Sequence, residues 1–371
     1  MPEFIRPDLL EFAAYSAHPK TETTYSPESI DSLDTNECAY DLPSTLKEKL
    51  AWQYQQSIAA NRYPDGSHHE LKAAIAHYAT TSAALTAQTI TAEQVSVGNG
   101  SDELIRSLLI ATCVGRSGAI LVASPTFSMY SILAQTLGIS VVSVGRNEET
   151  FEVDLEAAQT AIESNPEPIR LVFMVSPNSP TGNSLTAAEL TWLRALPQDV
   201  LVVVDEAYFE FSQQTTVIDA ITRSNWVVTR TFSKAFRLAA HRVGYALSSP
   251  GIIQVLEKVR LPYNLPSFSQ TAAHLALAHS SNLIDIIAEV QTERDRLSVQ
   301  LGSLPGLRVW PSVANFLYCR PTQSSIDTVF YHLQNQGTYI RQTGGGLRIT
   351  IGSPQENNRT LLHFEHTLTM C

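Results

Sequence analysis

Lys234 lies in the run Thr231-Phe232-Ser233-Lys234-Ala235-Phe236, with Arg242 a short way beyond and the apolar stretch Trp226-Val227-Val228 leading in. One amine, two hydroxyls and one guanidinium therefore gather just past the end of an expected strand. An amine so placed can form a Schiff base with a carbonyl compound, and Thr231, Ser233 and Arg242 are groups that hold a phosphate. A lone lysine after a strand is ordinarily a solvated charge. Three motifs upstream change that reading.

The first is Gly98-Asn99-Gly100-Ser101-Asp102-Glu103, followed by Leu104, Ile105, Leu108 and Leu109 at helical spacing. A glycine turn that opens a helix points free backbone N–H groups at an anion, so Ser101 and Asp102 offer amides to a phosphate; an ordinary N-cap is the plainer alternative. The second is Val202-Val203-Val204-Asp205-Glu206-Ala207-Tyr208, a buried strand that ends in a carboxylate. Asp205 can keep a pyridine nitrogen protonated, or can simply cap the next turn; Tyr208 can reach a ring oxygen. The stretch from Asp205 to Lys234 leaves room for one crossover and another parallel strand. The third pairs Pro125-Thr126-Phe127, where Phe127 can stack on a ring or fill a core, with the rigid turn Pro177-Asn178-Ser179-Pro180-Thr181-Gly182. An aldehyde and a phosphate on one pyridine ring describe pyridoxal phosphate (PLP).

The elements that must hold these residues are short and apolar. Ala119–Ala123, Ile169–Val175, Val200–Val204 and Trp226–Thr229 are continuous rather than alternating runs, as in strands buried on both faces of a mainly parallel sheet. Ligands in such sheets gather outside the carboxyl ends of the strands. Ile252–Arg260 reads as a helix broken by Pro262-Tyr263-Asn264-Leu265-Pro266, which sets a division there: residues 1–45 as an N-terminal segment against the small domain, 46–262 as a large domain, and 263–371 as a small one. A helix over 283–301 and strands near 314–318 and 347–351 are expected in the last.

At 371 residues, 44% hydrophobic and 16% charged, the chain can bury a sizeable core. Its formal charge of −11 argues against nucleic acid or an anionic membrane as partner. Cys38, Cys113, Cys319 and Cys371 show no metal or disulfide spacing, so no metal site is expected. Met1-Pro2-Glu3-Phe4-Ile5-Arg6 lacks the cationic start and apolar run of a signal peptide, and no run reaches membrane length, so a cytoplasmic location is expected.

The four motifs, in this order, resemble PLP-dependent aminotransferases of the aspartate aminotransferase fold. The resemblance implies an α/β fold: a large domain with a mainly parallel seven-stranded sheet plus a smaller α+β domain. It implies Lys234 as the Schiff-base lysine, Asp205 on the pyridine nitrogen, Tyr208 on the ring hydroxyl and Phe127 over the ring. Ser101, Asp102, Thr231, Ser233 and Arg242 would surround the cofactor phosphate. Asn61-Arg62-Tyr63-Pro64-Asp65 is similar to a segment whose tyrosine reaches the neighbouring subunit's phosphate, so Tyr63 implies a homodimer with shared sites. The family's asparagine directly before Pro-Thr-Gly is Ser179 here; Asn178, one place earlier, is taken to contact the ring hydroxyl.

Two arginines bear on the substrate. Arg348 is similar to the family arginine that meets a substrate carboxylate, and Arg341 to one that the histidinol-phosphate aminotransferases set against the substrate phosphate. Phe12-Ala13-Ala14-Tyr15 and Asp34-Thr35-Asn36-Glu37 resemble the same branch, with Tyr15 on the phosphate and Asn36 in the pocket. The expected substrates are histidinol phosphate and the 2-oxoglutarate/glutamate pair. An aromatic amino acid aminotransferase or a threonine-phosphate decarboxylase would share this scaffold. A PLP-sensing regulator would need a DNA-binding arm, and the first ~45 residues show neither a helix-turn-helix pattern nor a basic patch.

Overall fold

The computed structural model describes residues 4–12, 30–87 and 89–370. A two-residue strand, β1 (Asp31–Ser32), comes first. Seven strands then build one sheet: β2 (Val95–Asn99), β3 (Ala119–Ala123), β4 (Ser140–Val144), β5 (Ile169–Val175), β6 (Leu201–Asp205), β7 (Trp226–Thr231) and β8 (Val243–Ser248), in the order β2-β8-β7-β6-β5-β3-β4. The pairs from β7 to β4 are parallel, whereas β8 runs antiparallel to both β7 and β2.

This arrangement brings the motifs to one edge. The parallel strands β3, β5, β6 and β7 all leave there, at Ala123, Val175, Asp205 and Thr231. Antiparallel β8 enters at the same edge, pairing Gly244 with Thr231, so Arg242 lies beside the hydroxyl motif. β2 leaves there too, with Asn99 opposite Val243, and hands the chain to the helix Gly100–Thr112. Side chains of alternate residues feed opposite faces: Val202 and Val204 join one buried cluster, Val203 the other. Burial on both faces is why these strands read as unbroken apolar runs.

The later strands β9 (Leu307–Trp310), β10 (Phe316–Pro321), β12 (Arg341–Thr343) and β13 (Gly346–Thr350) form a four-stranded antiparallel sheet in the order β12-β13-β10-β9. β1 pairs in parallel with β11 (Thr338–Tyr339). The core beneath includes Leu297, Phe316, Leu317, Phe330 and Phe364, and it takes in Tyr208, Phe211 and Ala235 from the large sheet's loops. The edge that carries the motifs thus faces the second core.

The division expected at 262/263 does not coincide with the change of core. A helix at Ser267–Ala278 follows the proline-rich break, and Leu265, Ala272, Ala273, Ala276 and Leu283 are buried with the seven-stranded sheet. Small residues let this helix pack closely, but they gave no apolar stripe to read. Ile284 packs against both cores, and Ile287 belongs to the second.

Candidate functional site

A cavity opens at the shared strand edge, and one corner of it is built from three strand ends. Gly100 donates its N–H to the Arg242 carbonyl at 2.8 Å, which fixes the helix start against the beginning of β8. A Cβ on Gly244 would lie 2.4 Å from the Ser101 nitrogen, so only glycine permits that approach. Ser101 and Asp102 occupy the helix's first turn, where amides have no intrahelical acceptor. Thr231 donates its hydroxyl to Ser233 Oγ at 3.0 Å, and Arg242 donates to the same Oγ at 3.3 Å and to an Asp102 carboxylate oxygen at 3.2 Å. Two hydroxyls, a guanidinium and a helix N-terminus form a donor set for a phosphate.

Lys234, Asp205, Tyr208 and Phe127 line the same cavity. Lys234 donates from Nζ to the Thr35 carbonyl at 2.7 Å. Burial pushes its ammonium down to about 8, and the charges of Arg348 and Arg242 push the same way against Glu37 and Asp102. Burial pushes the Asp205 carboxyl up to about 6, opposed by the hydrogen bond from Tyr130. That bond, from the Tyr130 hydroxyl to Oδ2, is 2.6 Å; the Ala207 N–H reaches Oδ1 at 3.2 Å. Asn36 has φ of 54°, a left-handed conformation that asparagine tolerates, and donates from Nδ2 to the Tyr208 hydroxyl at 2.9 Å. Burial raises the Tyr208 phenol, while Arg348 and hydrogen bonds from Asn36 and Ser179 oppose the shift. It stays a neutral donor.

On the substrate side, Arg341 and Arg348 are direct cross-strand partners on β12 and β13, and both line the cavity. Arg348 donates to Ser179 Oγ at 3.0 Å and to the Asp34 carbonyl at 2.5 Å. The hairpin joining them turns at Gly344, with φ of 59°. A Cβ there would stand 2.7 Å from Pro125 Cβ and 3.1 Å from Pro180 Cγ, so the hairpin tip rests on both loops from the large sheet.

Not every expected residue is there. Asn178 stands outside the cavity, and Ser179 takes the wall position in its place. The Asn178 amide is used up in holding the turn: it donates to Thr181 Oγ1 at 2.6 Å and to the Pro125 carbonyl at 3.1 Å, and accepts from Thr126 at 3.0 Å. Tyr63 is 81% exposed, lines a separate groove and stacks on Tyr263 at 4.6 Å. Tyr15 lies outside the described residues. Conversely, Tyr130 and the Thr35 and Asp34 carbonyls are at the site without having been read from the sequence. Tyr130 is three residues past Phe127 in a helix start, and that spacing was the available signal.

These features fit PLP: a phosphate cradle, an amine of lowered proton affinity, a buried carboxylate for a ring nitrogen and an aromatic wall. Residues 30–364 match the model of the aminotransferase class I and II family. The chain belongs to that family. This aminotransferase is 56% identical to histidinol-phosphate aminotransferase 2 of a Nostoc species over 98% of its own length and 97% of the relative's. It is also 56% identical to the histidinol-phosphate aminotransferase of Trichodesmium erythraeum, with 96% and 97% covered. Its fold is that of a histidinol-phosphate aminotransferase from Sinorhizobium meliloti solved with pyridoxal-5'-phosphate, at a TM-score of 0.83, 22% identity, and 100% and 99% coverage.

Proposed function

We propose that this aminotransferase uses PLP to convert histidinol phosphate and 2-oxoglutarate into imidazole-acetol phosphate and glutamate, a step of histidine biosynthesis. The observation that carries the reading is the cross-strand pair Arg341–Arg348 in the wall of the Lys234 cavity. Two guanidinium groups on directly opposite residues concentrate positive charge on one wall of the cavity, which suits an anionic substrate. Glutamate brings two carboxylates and histidinol phosphate one phosphate, so one pair of cations serves both amino donors. Full-length relatives carrying this activity in their names support the same choice.

When bound, PLP supplies an aldehyde that takes up the amino group and a ring that accepts electrons from the substrate carbon. The chain's residues do the rest. Ser101, Asp102, Thr231, Ser233 and Arg242 fix the phosphate. Asp205 holds a proton at the ring nitrogen, and Tyr208, kept neutral and oriented by Asn36, donates to the ring oxygen. Lys234 Nζ, an amine in the cavity wall whose hold on its proton is weakened by burial, takes and returns the proton of the substrate carbon. Arg348, aimed by Ser179 and Asp34, holds a carboxylate, and Arg341 holds the phosphate.

Tyr63 has a polar tip on an exposed stacked ring, which suits a residue that reaches a second subunit's phosphate site in a homodimer. No described helix is long and apolar enough to cross a membrane, and Cys38, Cys113 and Cys319 are free thiols, in keeping with a cytoplasmic enzyme. The change of core over residues 284–287 supports a boundary between large and small domains there.

Spectral titration of the PLP-loaded protein with histidinol phosphate, histidinol, phenylalanine and threonine phosphate tests the reading. Histidinol phosphate is expected to discharge the lysine-linked chromophore at the lowest concentration. Equal or tighter response to phenylalanine or threonine phosphate refutes the substrate assignment.

A further inference from the structure

Among the described residues, the Tyr130 hydroxyl is hydrogen-bonded to Asp205 alone, and its position is tightly determined. It is fully buried at the start of the helix Met129–Thr136, stacks on Phe173 at 4.4 Å and 11°, and meets the edge of Phe127 at 5.5 Å and 82°. These two rings leave the phenol one direction, toward Asp205 Oδ2 at 2.6 Å. A buried hydroxyl bonded to a carboxylate favours the ionised form of that carboxylate. Burial holds the Tyr130 phenol far above its ordinary range, so it remains a donor across the working pH.

We propose that Tyr130 is a positioning residue that keeps Asp205 ionised and so sets the proton shared by Asp205 and the cofactor ring on the ring nitrogen. The inference rests on the PLP reading above. The balance is between two arrangements of one proton: a carboxylate facing a protonated ring nitrogen, or a carboxylic acid facing a neutral one. In passing from the first to the second, the N–H bond breaks, the Asp205 O–H bond forms, and the two charges cancel. Without the Tyr130 hydroxyl the carboxylate is the stronger base, and the second arrangement gains. The ring then loses the positive charge that draws electrons from the substrate carbon. Tyr130 acts on the chemistry only through Asp205.

The test compares binding of PLP with that of an analogue carrying carbon in place of the ring nitrogen, in parent and Tyr130→Phe proteins. The parent is expected to prefer PLP; Tyr130→Phe is expected to narrow that preference by about ten- to a hundredfold, the scale of a hydrogen bond to a charged group. Affinity for the analogue should barely change, which also reports that the variant is folded. The acid limb of the spectral pH titration of the PLP-loaded variant should move up by about one to two units. In an Asp205→Asn background, Tyr130→Phe should have no further effect. Incorporation of 3-fluorotyrosine in place of Tyr130, a stronger donor of nearly the same shape, should move preference and acid limb in the opposite direction. An unchanged preference in Tyr130→Phe, a further loss in the Asp205→Asn background, or no response to fluorination overturns the proposal. A parent that does not distinguish PLP from the analogue instead refutes the role of Asp205 on which it rests.

Discussion

Removing the Arg341 guanidinium should separate the two half-reactions. Arg341 is opposite Arg348 across the β12–β13 register, and both line the Lys234 cavity. At ~4 Å and an effective dielectric of about 20, one charge pair is worth ~4 kcal/mol. Arg341 is only partly buried, and water competes for the phosphate, which leaves ~2–3 kcal/mol for a charge-assisted contact. Arg341→Ala should therefore lower kcat/KM for histidinol phosphate by about 30- to 150-fold. Glutamate can lend its distal carboxylate to the same guanidinium and should lose less. Histidinol, lacking the phosphate, should react poorly with the parent and be nearly indifferent to the change. Arg348→Ala supplies the contrast, since it should damage the glutamate half-reaction strongly. Single-turnover kinetics of each half-reaction, parent against variant, measure this. Equal losses for histidinol phosphate and histidinol would mean that Arg341 shapes the hairpin rather than binding phosphate.

A shared site predicts complementation: Lys234→Ala and Tyr63→Ala, each strongly impaired alone, should regain activity in mixed dimers, because one of the two sites then carries neither defect. Detected heterodimers without recovered activity would confine Tyr63 to its own subunit. For the cofactor-free protein, Lys234 has a folded value of about 8 against an ordinary 10.5. The unfolded chain thus binds the extra proton between those pH values, and this group adds stability as pH rises through the window, by roughly 3 kcal/mol at most. Urea midpoints from pH 8 to 10 should rise in the cofactor-free parent relative to Lys234→Met, and parallel pH curves for the two would contradict a depressed lysine.

The strands at Ala119–Ala123 and Ile169–Val175 were legible to the residue, because burial on both faces leaves an uninterrupted apolar run. β6 ends one residue later than its apolar run, since Asp205 still pairs with Val175 and Thr229. β2 and β8 were not legible: Val95–Asn99 and Val243–Ser248 are interrupted by serine and glycine, and the glycines are there for the helix that crosses them. The ordered motifs named most of the cavity wall, yet sequence cannot tell which way a side chain leaves a turn. Hence Asn178 was expected where Ser179 stands. Contacts between distant residues, such as Asn36 on Tyr208, need the folded chain, and a tyrosine in an apolar helix such as Tyr130 reads as core until its hydroxyl is located.

The hairpin whose tip presses on Pro125 and Pro180 gives the molecule a modular economy. The parts proposed to hold the cofactor are spread over strand ends of one sheet, whereas both cations proposed to sort substrates ride on a single short ribbon of the other. A lineage can therefore rewrite residues 341–348 and explore new amino donors while leaving the cofactor's seat intact. An engineer can graft the same ribbon as one cassette, provided the residue at its apex stays small enough to lie against the two prolines.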